Sequence, residues 1–167
     1  ETVYIPNLTG TEAKKMLELT RSTAKTVFET SVSCIGASTC QVGVRDSQAL
    51  LRACVEAVRE AKIPDGALPQ IHISGCPSSC GTHQIGEMGF RGAIKNKQPA
   101  YMFYLSGCDR QGEEKMGAEL GTILETEIPR FLVELGQTVA ASGKDYFAWK
   151  AENPDGVEKI AAPYLAE

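Results

Sequence analysis

Two pairs of cysteines constrain this chain more than any other feature. Cys34 and Cys40 bracket Ile-Gly-Ala-Ser-Thr, and 35 residues later Cys76 and Cys80 bracket Pro-Ser-Ser. Gly75 and Gly81 flank the second pair, and the apolar, β-branched run Ile71–Ile73 before it reads as a strand. The run Thr26–Val32, also rich in β-branched residues, reads as a strand that delivers Cys34 in the same way. Both pairs are therefore expected at strand ends, on loops held by a rigid base. The glycines reach backbone angles closed to other residues and let the main chain approach a bound object. Pro77 fixes one φ angle and removes one N–H.

Thiolates are soft ligands that suit zinc, copper(I) or iron–sulfur clusters. Structural zinc takes closer cysteine knuckles, so the wide first gap fits it poorly. A cubane is larger than one ion, and wider loops can reach its corners. Small residues between the cysteines free N–H groups to point at the sulfurs, which helps set the potential. Six cysteines would suggest three disulfides in a secreted chain. No secretory signal is visible and four of the six lie in small-residue loops, so disulfides are not expected. Cys54 falls on the apolar stripe of a helix and reads as core. Cys108 reads as a free thiol in a loop.

The first pair, followed by Ser-Gly-Cys-Pro-Ser-Ser-Cys-Gly at 74–81 and Glu-Met-Gly-Phe-Arg-Gly at 87–92, resembles the cluster-binding half of the siroheme nitrite and sulfite reductases. The likeness runs from Cys34 onward. It implies a 4Fe–4S cluster held by Cys34, Cys40, Cys76 and Cys80, with Cys80 also bridging to the iron of siroheme. It implies Gly75, Ser78, Cys80, Gly81, Gly107 and Arg110 as siroheme contacts, Arg110 as a partner for the carboxylates of the macrocycle. Gly81 is expected to be small because a Cβ there would crowd the macrocycle. Ser78 stands where one variant of the family has Asn, and Gly107 stands alone where some members have paired glycines.

The resemblance further implies ferredoxin or a flavoprotein as electron donor, and six-electron reduction of nitrite to ammonia or sulfite to sulfide. In that family the Arg and Lys residues that hold the anionic substrate come from the other, N-terminal half of the enzyme. That half is the implied partner, and turnover by this chain alone is not expected. The stretch from Cys80 to Gly92 looks slightly more like plant-type nitrite reductases. Two other readings stand beside this one: an iron–sulfur module that only transfers electrons or senses redox state, and a structural zinc domain.

At 167 residues the chain reads as one domain, or one domain and a fragment of a neighbour. Residues 1–22 read as a partial strand–helix segment, the end of a preceding ferredoxin-like half, and 23–167 as the cofactor-binding domain. The start at Glu1 rather than Met suggests a processed or excised chain. A net charge of -4 argues against nucleic acid. No apolar run approaches the roughly 20 residues that cross a bilayer, so no membrane span and a cytoplasmic location are expected.

Thr2–Ile5 reads as a short strand. Thr9 and Glu12 form a capping box for a helix carrying Ala13, Met16, Leu17 and Thr20. Asp46 caps a helix through Lys62 with Leu50, Leu51, Cys54, Val55 and Val58 on its stripe. Tyr101–Leu105 reads as a strand. Thr126 caps a helix with Pro129 in its first turn, Ile128, Phe131, Leu132, Leu135 and Val139 inward, and Gly143 at its end. Asp145–Trp149 begins a tail helix. The fold class is α+β, a small mixed sheet flanked by helices. His72 and His83 read as histidines satisfied in place rather than ligands. Glu113 and Glu114 read as a solvated face. Arg45, Arg91 and Lys95 lie near the motifs.

Overall fold

The computed structural model describes residues 4–21 and 23–166. Its core is a five-stranded mixed sheet in the order β1-β2-β3-β4-β5, comprising β1 (Val32–Ser33), β2 (Ile71–Ser74), β3 (Met88–Lys95), β4 (Gln98–Leu105) and β5 (Ala118–Leu124). The first three strands run parallel, and β4 and β5 are antiparallel to their neighbours. Helices α1 (Gly10–Leu19), α2 (Ser47–Glu60), α3 (Ile128–Ala141), α4 (Tyr146–Glu152) and α5 (Gly156–Ala161) complete the fold. The class is α+β, as the sequence implied.

Alternation along β2 decides how the sheet is covered. Ile71 and Ile73 face the core that holds Leu50, Cys54 and Val58 of α2 and Phe131, Leu132, Leu135 and Val139 of α3. Phe90 of β3 and Phe103 of β4 stack at 5.1 Å, and Phe131 meets Phe103 edge-on at 5.3 Å. His72 and Ser74 face the other way. There the loop from Gly75 to Glu87 folds back over the sheet: the Gly81 N–H donates to Ser74 Oγ, and His72 Nδ1 lies 2.8 Å from Thr82 Oγ1.

Asp46 caps α2 through its side chain, as expected, though the helix ends at Glu60 rather than Lys62. The inward residues of α3 are all buried. Its N-cap is Glu127 with no side-chain bond, not Thr126, and Gly143 follows its end at φ +71. Asp145 caps α4, whose Tyr146 and Trp149 are buried. The capping box of Thr9 and Glu12 is present, yet α1 buries none of its residues.

Thr26–Val32 is not a strand. Phe28–Thr30 form a 3-10 turn, and β1 is only Val32–Ser33. The physical reason lies in its own side chains. Thr26 Oγ1 accepts from the Glu29 N–H, Thr30 Oγ1 donates to the Val27 carbonyl, and Ser31 Oγ donates to the Phe28 carbonyl. Such local bonds compete with a sheet ladder. Thr2 and Val3 of the expected first strand lie outside the described residues, and Tyr4 and Ile5 are not in a strand. Two strands that sequence reasoning missed, β3 and β5, complete the sheet.

Candidate cluster site at the strand ends

Strands β1 and β2 run parallel, so their C-terminal ends lie side by side. Cys34 follows Ser33 and Cys76 follows β2 by two residues. The Cys34 N–H donates to the Ile73 carbonyl at 3.0 Å, extending the ladder to the first cysteine. The chain then turns sharply at Gly36, φ +73, whose carbonyl accepts from the Cys40 N–H at 2.8 Å. This closes the first cysteine loop on itself.

Gly75 ties that loop to the second. Its carbonyl accepts from the N–H groups of Val44 and Arg45, at 3.0 and 2.9 Å. Its own N–H donates to Cys34 Sγ at 3.1 Å. A Cβ on Gly75 would fall 2.5 Å from the Arg45 carbonyl oxygen and 3.6 Å from Cys34 Sγ. Beyond Pro77 and Ser78, Ser79 (φ +61) and Thr82 (φ +52) hold left-handed angles uncommon for residues other than glycine. Ser79 Oγ is hydrogen-bonded to Gln84.

Cys34, Cys40, Cys76 and Cys80 all line one cavity of about 230 Å³, together with Gly75 and Ser78. None of the six cysteines is in a disulfide. Cys76 is buried, Cys34 and Cys40 half-buried, and Cys80 exposed. Val32, Ile35 and Val42 line the same cavity while exposed, Val42 at 69%. Among the described residues, no three His, Cys, Asp or Glu side chains stand close enough to hold a single metal ion.

Gly81 is buried, and the fold itself requires it to be small. A Cβ there would lie 2.0 Å from the Ile73 carbonyl oxygen, so the residue is small because the loop packs directly on β2.

Gly107 and Arg110 are not in the cysteine cavity. They follow β4, whose Leu105 pairs with Met88 at the start of β3. Because β3 parallels β2, this is the end of the sheet opposite Cys76. There Gly107, Cys108, Asp109 and Arg110 line a second cavity, of about 840 Å³, with Glu87, Ser106, Lys115 and Lys150. Arg110 is exposed and pairs with Glu113 at 2.7 Å. Lys150 bonds Glu87 and Ser106 Oγ, and Tyr146 donates to Glu87 Oε1 at 2.8 Å. Cys54 is fully buried on the α2 stripe, and burial pushes its thiol well up.

His72 is buried with Thr82 beside Nδ1, and burial lowers its pKa against the opposing pull of Asp109. His83 is 1% exposed and packs on Tyr104 at 4.9 Å, but its Nδ1 has no hydrogen-bond partner. It is not the satisfied histidine the sequence suggested. Burial first, and the Arg91 charge second, lower its pKa to about 4.

No family model matches the chain. Curated relatives do. The sulfite reductase (NADPH) hemoprotein beta-component of Bacillus licheniformis is 27% identical over 152 residues, covering 80% of this chain and 26% of that protein. The ferredoxin–nitrite reductase of Leptolyngbya laminosa is 31% identical over 100 residues, covering 59% of this chain and 19% of that protein. The chain is a relative of the nitrite and sulfite reductases. It spans about a fifth to a quarter of the length of these relatives. A solved structure, the NirA protein of Mycobacterium tuberculosis, superposes with a TM-score of 0.48 at 19% identity, over 60% of this chain and 20% of that one. Among the described residues, no helix is long and apolar enough to cross a membrane.

Proposed function

We propose that this chain is the cofactor-binding domain of a nitrite or sulfite reductase, with Cys34, Cys40, Cys76 and Cys80 as ligands of a 4Fe–4S cluster and Cys80 as the thiolate shared with siroheme. The observation that carries the reading is the meeting of all four cysteines at one cavity, from loops 35 residues apart in sequence. The donor set fits the group: four free thiols, with a backbone N–H already aimed at one sulfur. Their spread suits a group with several corners better than a single ion. When bound, the paired cofactors would relay electrons from the donor to nitrite or sulfite for a six-electron reduction.

The chain's own residues do the holding. Of the cysteines lining the cavity, Cys76 is buried, while Cys80 is exposed and free to face a second centre. The exposed apolar residues Val32, Ile35 and Val42 that line the cavity would keep water from the thiolates once covered. Gly75 and Ser78, which line the cavity, are the siroheme contacts this geometry favours. Gly107 and Arg110, at the far end of the sheet, meet the same macrocycle only if it reaches across the loop that carries Gly81. In this reading residues 1–22 end a preceding half and 23–167 form the domain; the lack of any buried residue in α1 supports that division. The substrate side would be the N-terminal half, with ferredoxin or a flavoprotein as donor.

The test separates Cys80 from Cys108. In the whole reductase, Cys80→Ser abolishes cluster–siroheme coupling by EPR and dye-linked nitrite and sulfite reduction, while Cys108→Ser leaves both near wild type. Full coupling and activity in Cys80→Ser would remove Cys80 as the bridge.

A further inference from the structure

Ser47 opens α2 and is 0% exposed, yet its hydroxyl does not cap the helix; Asp46 does that. The hydroxyl turns instead to Cys34, thirteen residues earlier. Ser47 Oγ donates to the Cys34 carbonyl at 2.8 Å and also lies 3.2 Å from Cys34 Sγ. A serine hydroxyl has one proton and two acceptor positions. While Cys34 keeps its proton, the arrangement closes as a chain: Sγ–H to Ser47 Oγ, and Ser47 O–H to the Cys34 carbonyl. An iron-bound sulfur has no proton to give and accepts only.

We propose that, on ligation of Cys34, the Ser47 hydroxyl rotates from the Cys34 carbonyl to Cys34 Sγ and becomes, with the Gly75 N–H, one of two donors to that sulfur. This rests on the cluster reading above. In the step the S–H bond breaks and an iron–sulfur bond forms; the proton leaves to solvent and no electron is transferred. The switch is favourable because a bond to a charged sulfur is stronger than one to a neutral carbonyl. Its consequence is a tuned site. Donors to a ligand sulfur withdraw electron density and favour the reduced cluster, and they fix the ligand's orientation. Ser47 is thus a positioning residue that acts through Cys34.

The room around it is tight. A Cβ on Gly36 would lie 2.7 Å from the Ser47 N atom and 2.8 Å from its Oγ, so the turn after Cys34 leaves space for the hydroxyl and little else. Ser47→Ala removes one atom and leaves the Asp46 cap in place, so it is expected to fold.

The experiment loads the wild-type chain, Ser47→Ala and Ser47→Thr with iron and sulfide without oxygen. It reads the cluster reduction potential and, by ENDOR after exchange into deuterated water, the exchangeable protons near the cluster. The expected result is a more negative potential and one lost exchangeable coupling in Ser47→Ala, both restored wherever Ser47→Thr loads. A loaded Ser47→Ala with unchanged potential and unchanged couplings overturns the proposal alone. A wild-type chain that takes up no iron overturns the cluster reading and this proposal with it.

Discussion

The backbone N–H of Gly75 donates to the sulfur of Cys34, 41 residues earlier, across 3.1 Å and joins the two cysteine loops. The same residue accepts from Val44 and Arg45. One glycine therefore sets both the spacing of the two cysteine pairs and the polarity around one sulfur. Gly75→Ala is expected to destabilise the fold by about 1–3 kcal/mol, since its Cβ would meet the Arg45 carbonyl oxygen, which is backbone and cannot step aside. Urea unfolding of the metal-free chain checks this. An unchanged midpoint would mean that the loops are not pinned there.

Binding energy at a metal site is drawn into folding. Cys40→Ser should lower bound iron and melting temperature together, while Cys108→Ser, which lies in the other cavity, should leave iron content at the wild-type level. Iron assay and calorimetry on the same samples check both. Equal iron in wild type and Cys40→Ser would remove Cys40 from the ligand set.

The cysteine pairs, the Asp46 cap and the apolar face of α3 were legible in sequence because each is a local pattern. The strand β3 was not, and its glycines are the reason. Gly89 and Gly92 weaken a strand signal. Both are demanded by the loop above: a Cβ on Gly89 would fall 1.8 Å from the His83 carbonyl oxygen, and one on Gly92 2.2 Å from that of Gly75. The loop that carries Cys76 and Cys80 thus hid the strand it lies on. β5 was missed because Gly121, at φ +145, and a bulge opposite Phe103 and Tyr104 interrupt its alternation. Residues 26–32 misled in the opposite sense, since Thr and Ser side chains there serve turns. That all four cysteines share one cavity follows from β1 pairing with β2, a contact no local pattern states.

His83 makes stability depend on pH. Its pKa falls from 6.5 unfolded to about 4 folded, so the fold favours the neutral ring. The stabilisation is full above about pH 6.5, declines as pH falls, and is gone below about 4. The loss amounts to at most about 3 kcal/mol. His83→Phe keeps a ring against Tyr104 and should flatten unfolding free energy between those pH values. An unaltered slope in the variant would assign the acid sensitivity to other groups.

Lys150 and Glu87 form a largely buried ion pair joining α4 to the start of β3, with Tyr146 and Ser106 as further partners. Lys150→Met leaves the Glu87 carboxylate without its cation and should destabilise by about 3 kcal/mol, whereas Lys150→Met with Glu87→Gln should recover part of that loss. Chemical denaturation of the wild type, both single variants and the double variant gives the comparison. Additive losses in the double variant would show that the two side chains are not coupled.

Whether Cys34, Cys40, Cys76 and Cys80 hold a 4Fe–4S cluster is decided by Mössbauer spectroscopy of the chain loaded with iron-57 and sulfide in the absence of oxygen. The expected result is the spectrum of a 4Fe–4S cluster, with iron and sulfide in equal amounts, and its loss in Cys76→Ser. A chain that binds one zinc ion and no iron, or a spectrum of isolated iron that survives Cys76→Ser, would contradict it.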